Sequence, residues 1–192
     1  MHKITRESRE RAVGATKAPA SLGSAATLAF IVVLSTAPGA PGRPSRVTPA
    51  REGAAGPSIE EIKRLERDCF DEVNKCRKAH GAAALEYDVE LLTVARQYSR
   101  RMADEHFFSH TDAEGKSVRE RLARAGIRWR SVGENIASSK GYVNPVAVAM
   151  HGWLGSPGHR RNILNSGFRL AAVGAWISRD GTVFFTQVFI SK

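Results

Sequence analysis

From Ile59 onward, apolar residues recur at three- and four-residue intervals: Ile59, Ile62, Leu65, Cys69, Phe70, Val73 and Cys76. That spacing puts them on one face of a helix. Ser58-Ile-Glu-Glu61 has the form of a capping box, in which a hydroxyl and a carboxylate satisfy the unpaired N–H groups of the first turn, and Gly81 supplies a stop. A second helix is predicted from Asp88, an N-cap residue with Glu90 in the first turn. Its buried stripe is Leu91, Leu92, Val94, Ala95, Tyr98 and Met102, and it ends near Glu105. Ser117-Val-Arg-Glu120 is another capping box and opens a shorter helix through Ala125, closed by Gly126. Asn144-Pro145 caps and starts a helix over Val146 to Leu154, which Ser156-Pro157-Gly158 is expected to break.

The period then changes from helical to alternating. Leu170 to Ser178 and Thr182 to Ile190 read as strands joined by an Arg179-Asp180-Gly181 turn. Val183, Phe185 and Phe189 face one way, and Phe184, Val188 and Ile190 the other. A strand that is apolar on both faces needs cover on both. Helices followed by such a hairpin imply an α+β fold with a three-layer α/β/α arrangement.

The segment before Ser58 has a different texture. Residues 1–21 carry Lys3, Arg6, Arg9, Arg11 and Lys17 against Glu7 and Glu10, and an apolar run from Ala25 to Ala37 follows. A basic leader before a short apolar run is the pattern of a secretory signal. The run is shorter than the ~20 residues of a membrane span. Pro38 directly after Ala37 disfavours cleavage there, which leaves an uncleaved anchor or a different true start as alternatives. Residues 38–57 are rich in Pro, Gly, Ala, Ser and Arg and read as a linker. The domain proper is 58–192.

Charge changes the picture little. The chain has a net charge of +10, but more than half its length, from Ser58 on, carries only half of that excess. A mildly basic domain suits anionic surfaces such as wall polymers or lipid headgroups. The aromatic–basic interleaving of a nucleic-acid platform is absent, and any membrane contact is assigned to the N-terminal segment. The two cysteines, Cys69 and Cys76, lie seven residues apart on one predicted helix. Their Cα atoms would be ~10 Å apart, beyond the roughly 7 Å a disulfide tolerates. They read as core residues and say little about redox compartment.

Several blocks together resemble the CAP (SCP-like) superfamily, in its bacterial form. They are Val73 to Arg77 with Leu85, Asp88, Leu91 and Ala95; Phe108-Ser-His110 with Thr111, Asp112 and Gly115; Val132-Gly-Glu-Asn-Ile136; Trp153 to Leu164, containing Ser-Pro-Gly-His159; Val173-Gly174; and Phe185-Thr-Gln-Val-Phe189. The resemblance implies an α–β–α sandwich of the CAP type around a mainly antiparallel sheet. It also implies a cleft that typically holds two His and two Glu, the histidines binding a divalent cation in several members. Carried over, the first His is His110, the first Glu is Glu134 and the second His is His159. The second Glu position holds Ser156, so the tetrad is incomplete.

The cleft set implied is therefore His110, Glu134, Ser156, His159 and Gln187. His110 and His159 are the metal candidates, for Zn²⁺ or another divalent cation. If there is catalysis, Glu134, His110 and His159 carry it, with Glu134 as general base on a bound water. Each residue has a plainer reading. Glu134 and Asn135 can pin a loop. Gln187, on a central strand, reaches the cleft or satisfies a neighbouring loop. His106 stands at i, i+4 from His110 but beyond the expected helix end, and His151 matches no cleft position. Arg160-Arg161 draws an anionic ligand to the rim or is a solvated basic turn.

Three functions follow. The favoured one is a secreted or envelope-anchored module that binds a small ligand, lipid, wall polymer or metal without turnover. A metal-assisted hydrolase and a structural or adhesive wall module are the alternatives. The chain has no serine nucleophile elbow and no His-Glu-x-x-His helix, and no motif pairs a Cys with a base.

Overall fold

The computed structural model describes residues 57–192; the leader and nearly all of the linker lie outside them. Among the described residues no helix is long and apolar enough to cross a membrane. The elements run α1 (Ile59–Ala79), β1 (Glu86–Tyr87), α2 (Val89–Asp104), α3 (Val118–Arg124), β2 (Ser131–Lys140), α4 (Pro145–Gly155), α5 (Pro157–Leu164), β3 (Leu170–Ile177) and β4 (Thr182–Ser191). The predicted caps form, except that at Ser58 only half of the expected capping box is present, with no return bond from the Glu61 carboxylate. The Ser58 side chain accepts from Glu61 N–H, Asp88 from Glu90 and Leu91, and Asn144 from Ala147, while Ser117 and Glu120 close a full capping box.

The strands form one sheet in the order β1-β3-β4-β2. β3 pairs antiparallel with β4, and β4 with β2, while the two-residue β1 pairs parallel with β3. The sheet is thus mainly antiparallel, as expected. Phe185 and Phe189 of β4 pack with Ile62, Val73, Trp153 and Ile163 beneath α1, α4 and α5. Val188 and Ile190 pack with Leu91, Val94, Ala95 and Leu122 beneath α2 and α3. Each face is covered, which makes three layers. Gly174 sets the closeness of one layer: a Cβ there would lie 2.1 Å from the Arg96 nitrogen of α2. Only a residue without a side chain lets that helix rest on β3.

The two-residue β1 was not foreseen, and two further segments differ from the expectation. Gly133-Glu134-Asn135, taken for a loop, lies on β2, an edge strand. Its polar residues hid the strand pattern because they are buried against side chains from other elements. Ser156-Pro157-Gly158 does end α4, but Pro157 at once starts α5. Proline fits the first turn of a helix, where its missing N–H would be unpaired anyway.

At the opposite edge, β1 is too short to pair the far half of β3. There the buried Glu66 of α1 accepts the Ala175 N–H at 3.1 Å. Arg96 of α2 holds the same carboxylate with two bonds, at 2.7 and 2.5 Å. One charged pair ties both helical layers to an otherwise unpaired strand edge.

Candidate functional site

The site is built around Glu134, whose position on edge strand β2 lets both helical layers reach it. Its side chain is buried. Oε1 accepts from His110 Nδ1 at 2.8 Å, and Oε2 is paired with Arg121 of α3. Arg121 also donates to the carbonyls of Lys116 (3.0 Å) and His110 (3.3 Å). Its guanidinium lies 3.3 Å over the Tyr98 ring, a cation–π contact inside a buried wall. The Tyr98 hydroxyl donates to Ser109 O at 2.8 Å, and burial pushes its pKa up to about 12 against the opposing charge of Arg121. The loop carrying His110 is fixed further on by Asp112, which pairs with Arg101 at 2.7 Å and accepts the N–H groups of Glu114 and Lys116. His110 is held in place from its backbone as well as its ring.

His159 comes from the other layer, on α5. Two amides fasten that helix to β2, and a third, Gln187 of β4, backs them. Asn162 donates to Glu134 O (3.1 Å) and Asn135 Oδ1 (2.9 Å), and Asn135 donates to His159 O (3.2 Å) and Gln187 Oε1 (3.2 Å). The chain of amides ends inside the protein, at a Gln187 Nε2 with no partner. The far end of α5 is held by Arg77, fully buried on α1, which donates to the carbonyls of Ile163 (2.6 Å) and Asn165 (2.9 Å). The two imidazoles end 6.0 Å apart between ring centroids, tilted by 44°. Burial, and secondarily the charge of His110, holds the His159 pKa below its ordinary value.

The structure thus brings together His110, Glu134 and His159. Gln187 touches this group only through Asn135. Ser156 sits at the joint of α4 and α5 and makes no side-chain cap bond. His106 and His151 are exposed, His106 with a φ of 55° just past the end of α2, so the i, i+4 spacing to His110 is not helical. Arg160 and Arg161 are exposed. Sequence reasoning missed Arg121, Asn162 and Arg77 as site residues. Arg121 had a signal: a carboxylate that becomes buried requires a cation.

The donor set decides what a cation would find. With Nδ1 donating to Glu134, Nε2 of His110 is left free, the outer-shell arrangement that commonly orients a metal-binding imidazole. Glu134 itself is committed to His110 and Arg121. Among the described residues no group of three or more His, Cys, Asp and Glu is placed to hold a metal ion. Two imidazoles sharing a tetrahedral Zn²⁺ would have centroids about 5 Å apart, against 6.0 Å here. The residues fit a cation held by two nitrogens and solvent, after a small approach of the rings; they do not fit a closed structural zinc site.

A family model described as the cysteine-rich secretory protein family, CAP, matches residues 70–189. The chain is 36% identical over 139 residues to the uncharacterized membrane protein YlbC of Bacillus subtilis, covering 70% of this chain and 38% of YlbC. Among solved structures, an extracellular protein of Bacillus anthracis containing an SCP domain superposes with a TM-score of 0.61 at 31% identity, over 72% of this chain and 45% of that one. An outer surface protein of Borrelia burgdorferi superposes with a TM-score of 0.64 at 21% identity, over 72% and 99% respectively. The chain spans less than half of the two Bacillus proteins it resembles.

Proposed function

The chain belongs to the cysteine-rich secretory protein (CAP) family, and from that premise we propose that it is a non-catalytic module of the cell envelope that binds a ligand between His110 and His159. The observation that carries this reading is the state of Glu134. Both carboxylate oxygens already face N–H donors, from His110 and Arg121. A general base must aim a free oxygen at the water it activates, and turning Glu134 to do so would strand a largely buried Arg121. What the cleft offers instead is a fixed His110, partly exposed, facing a drier His159. Paired, preorganised imidazoles suit recognition of a polar group or a cation.

The envelope assignment draws on the basic leader with its apolar run, on the membrane protein YlbC and on the extracellular Bacillus anthracis protein. A divalent cation as the ligand is a second reading, favoured by the Glu134-oriented His110 with Nε2 free.

The test follows the imidazole signals of the purified protein by NMR. Zn²⁺, anionic lipid micelles and soluble wall fragments are titrated in turn, beside hydrolysis assays on peptides, esters and peptidoglycan. Shifts at His110 and His159 that saturate, and vanish in the His110→Ala/His159→Ala variant, support binding. Turnover that is lost in a folded Glu134→Gln variant would overturn the non-catalytic reading.

A further inference from the structure

Away from the histidines, an open groove of about 460 Å³ runs between α2 and α3. That size falls within the range of small-ligand sites. One wall is the α2 stripe Glu90, Thr93, Gln97 and Arg101, and the other is contributed by Arg121, Arg124 and the residues after α3. Buried Val94 and Ile127 lie at its base.

The charges in this groove fall into two kinds. Arg101 is neutralised by Glu105 and Asp112, and Arg121 by Glu134. Glu90 and Arg124 are exposed, and neither makes an ion pair among the described residues, with each other or with any other group. Each lies at the end of its own helix that favours its charge, which accounts for its presence but leaves the charged head free. An uncommitted carboxylate and an uncommitted guanidinium thus face one groove from opposite walls without meeting.

From this we infer that the α2–α3 groove is a second binding site, for a short zwitterionic peptide whose ammonium meets Glu90 and whose carboxylate meets Arg124. On the α2 wall the exposed Gln97 amide offers donors and an acceptor to a peptide backbone, and Thr93, whose hydroxyl donates to Val89 O at 3.0 Å, offers its oxygen as an acceptor. The α2 wall of the groove, from Glu90 to Arg101, is about 16 Å long, room for a short extended peptide. The Tyr98–Arg121 wall separates the groove from the histidine cleft, with Arg121 lining the one and pairing with Glu134 of the other.

The probe is tetra-alanine, titrated into the ¹⁵N-labelled full chain, beside versions blocked at the N terminus, at the C terminus and at both. The expected result is saturable shifts at the Thr93, Gln97 and Ala125 amides. Blocking either end, or substituting Glu90→Gln or Arg124→Gln, weakens binding by up to about fivefold, the contribution of an exposed ion pair. Glu90→Gln adds no further loss once the N terminus is acetylated, and Arg124→Gln none once the C terminus is amidated. Both side chains are exposed, so the variants keep the fold. Absence of shifts at these amides, or equal binding of the doubly blocked peptide, overturns the assignment. So do shifts confined to His110 and His159, which would place the peptide in the cleft.

Discussion

The two edges of the sheet solve one problem with the same residue types and opposite results. Each carries a buried glutamate held by an arginine: Glu66 with Arg96 beside β3, and Glu134 with Arg121 on β2. At the β3 edge the carboxylate is spent entirely on structure, on one strand N–H and both arms of a guanidinium. At the β2 edge one oxygen goes to arginine and the other to a histidine whose side chain is 45% exposed. The same pair is a seal in one place and a support for a reachable side chain in the other. What separates a structural ion pair from a site is the group that the second oxygen holds.

The largest effect is expected where nothing is left open. Glu66→Ala strands Arg96 and the Ala175 N–H, and should cost about 3 kcal/mol, as loss of one partner of a buried pair does. Urea unfolding measures it, and the His110 and His159 imidazole signals should stay in place. Glu134→Ala should cost less, about 2 kcal/mol, because the cleft lets water reach the abandoned groups; here the His110 ring signal should move. Equal losses, or an unmoved His110, would erase the distinction between the edges. The smallest effect is a pH slope. Because the folded-state pKa of His159 lies below the ordinary 6.5, the unfolded chain takes up protons first as pH falls. Stability contributed by this residue is complete above about 6.5 and is lost as pH drops toward the folded value. His159→Gln should flatten the fall in urea midpoint between neutral pH and about pH 5.

Much of this was legible in the sequence, and the boundary is physical. α1, α2 and α3 announced themselves because their caps and stripes are local: Ser58 finds Glu61, and Ser117 finds Glu120, three residues on. The β3–β4 hairpin showed because its turn and alternation are local as well. β2 did not, since Glu134 and Asn135 are buried by partners 13 to 52 residues away: Arg121, Asn162 and Gln187. A pattern that counts polar residues as outward cannot see them. His110, Glu134 and His159 emerged from family motifs, and the structure places them together. Arg121 stayed hidden for the reason Glu134 looked like a loop residue: neither makes sense without the other.

α1 also carries two thiols that meet solvent very differently. Cys69 is wholly buried, with its pKa pushed far up by that burial, whereas Cys76 is partly accessible near the C-terminal end of the same helix. An alkylating reagent reacts with thiolate it can reach. Cys76 will be modified when the last turns of α1 fray, Cys69 only when the whole domain opens. The helix therefore contains its own pair of chemical clocks, and the ratio of their labelling rates distinguishes local breathing from global unfolding without any engineered cysteine.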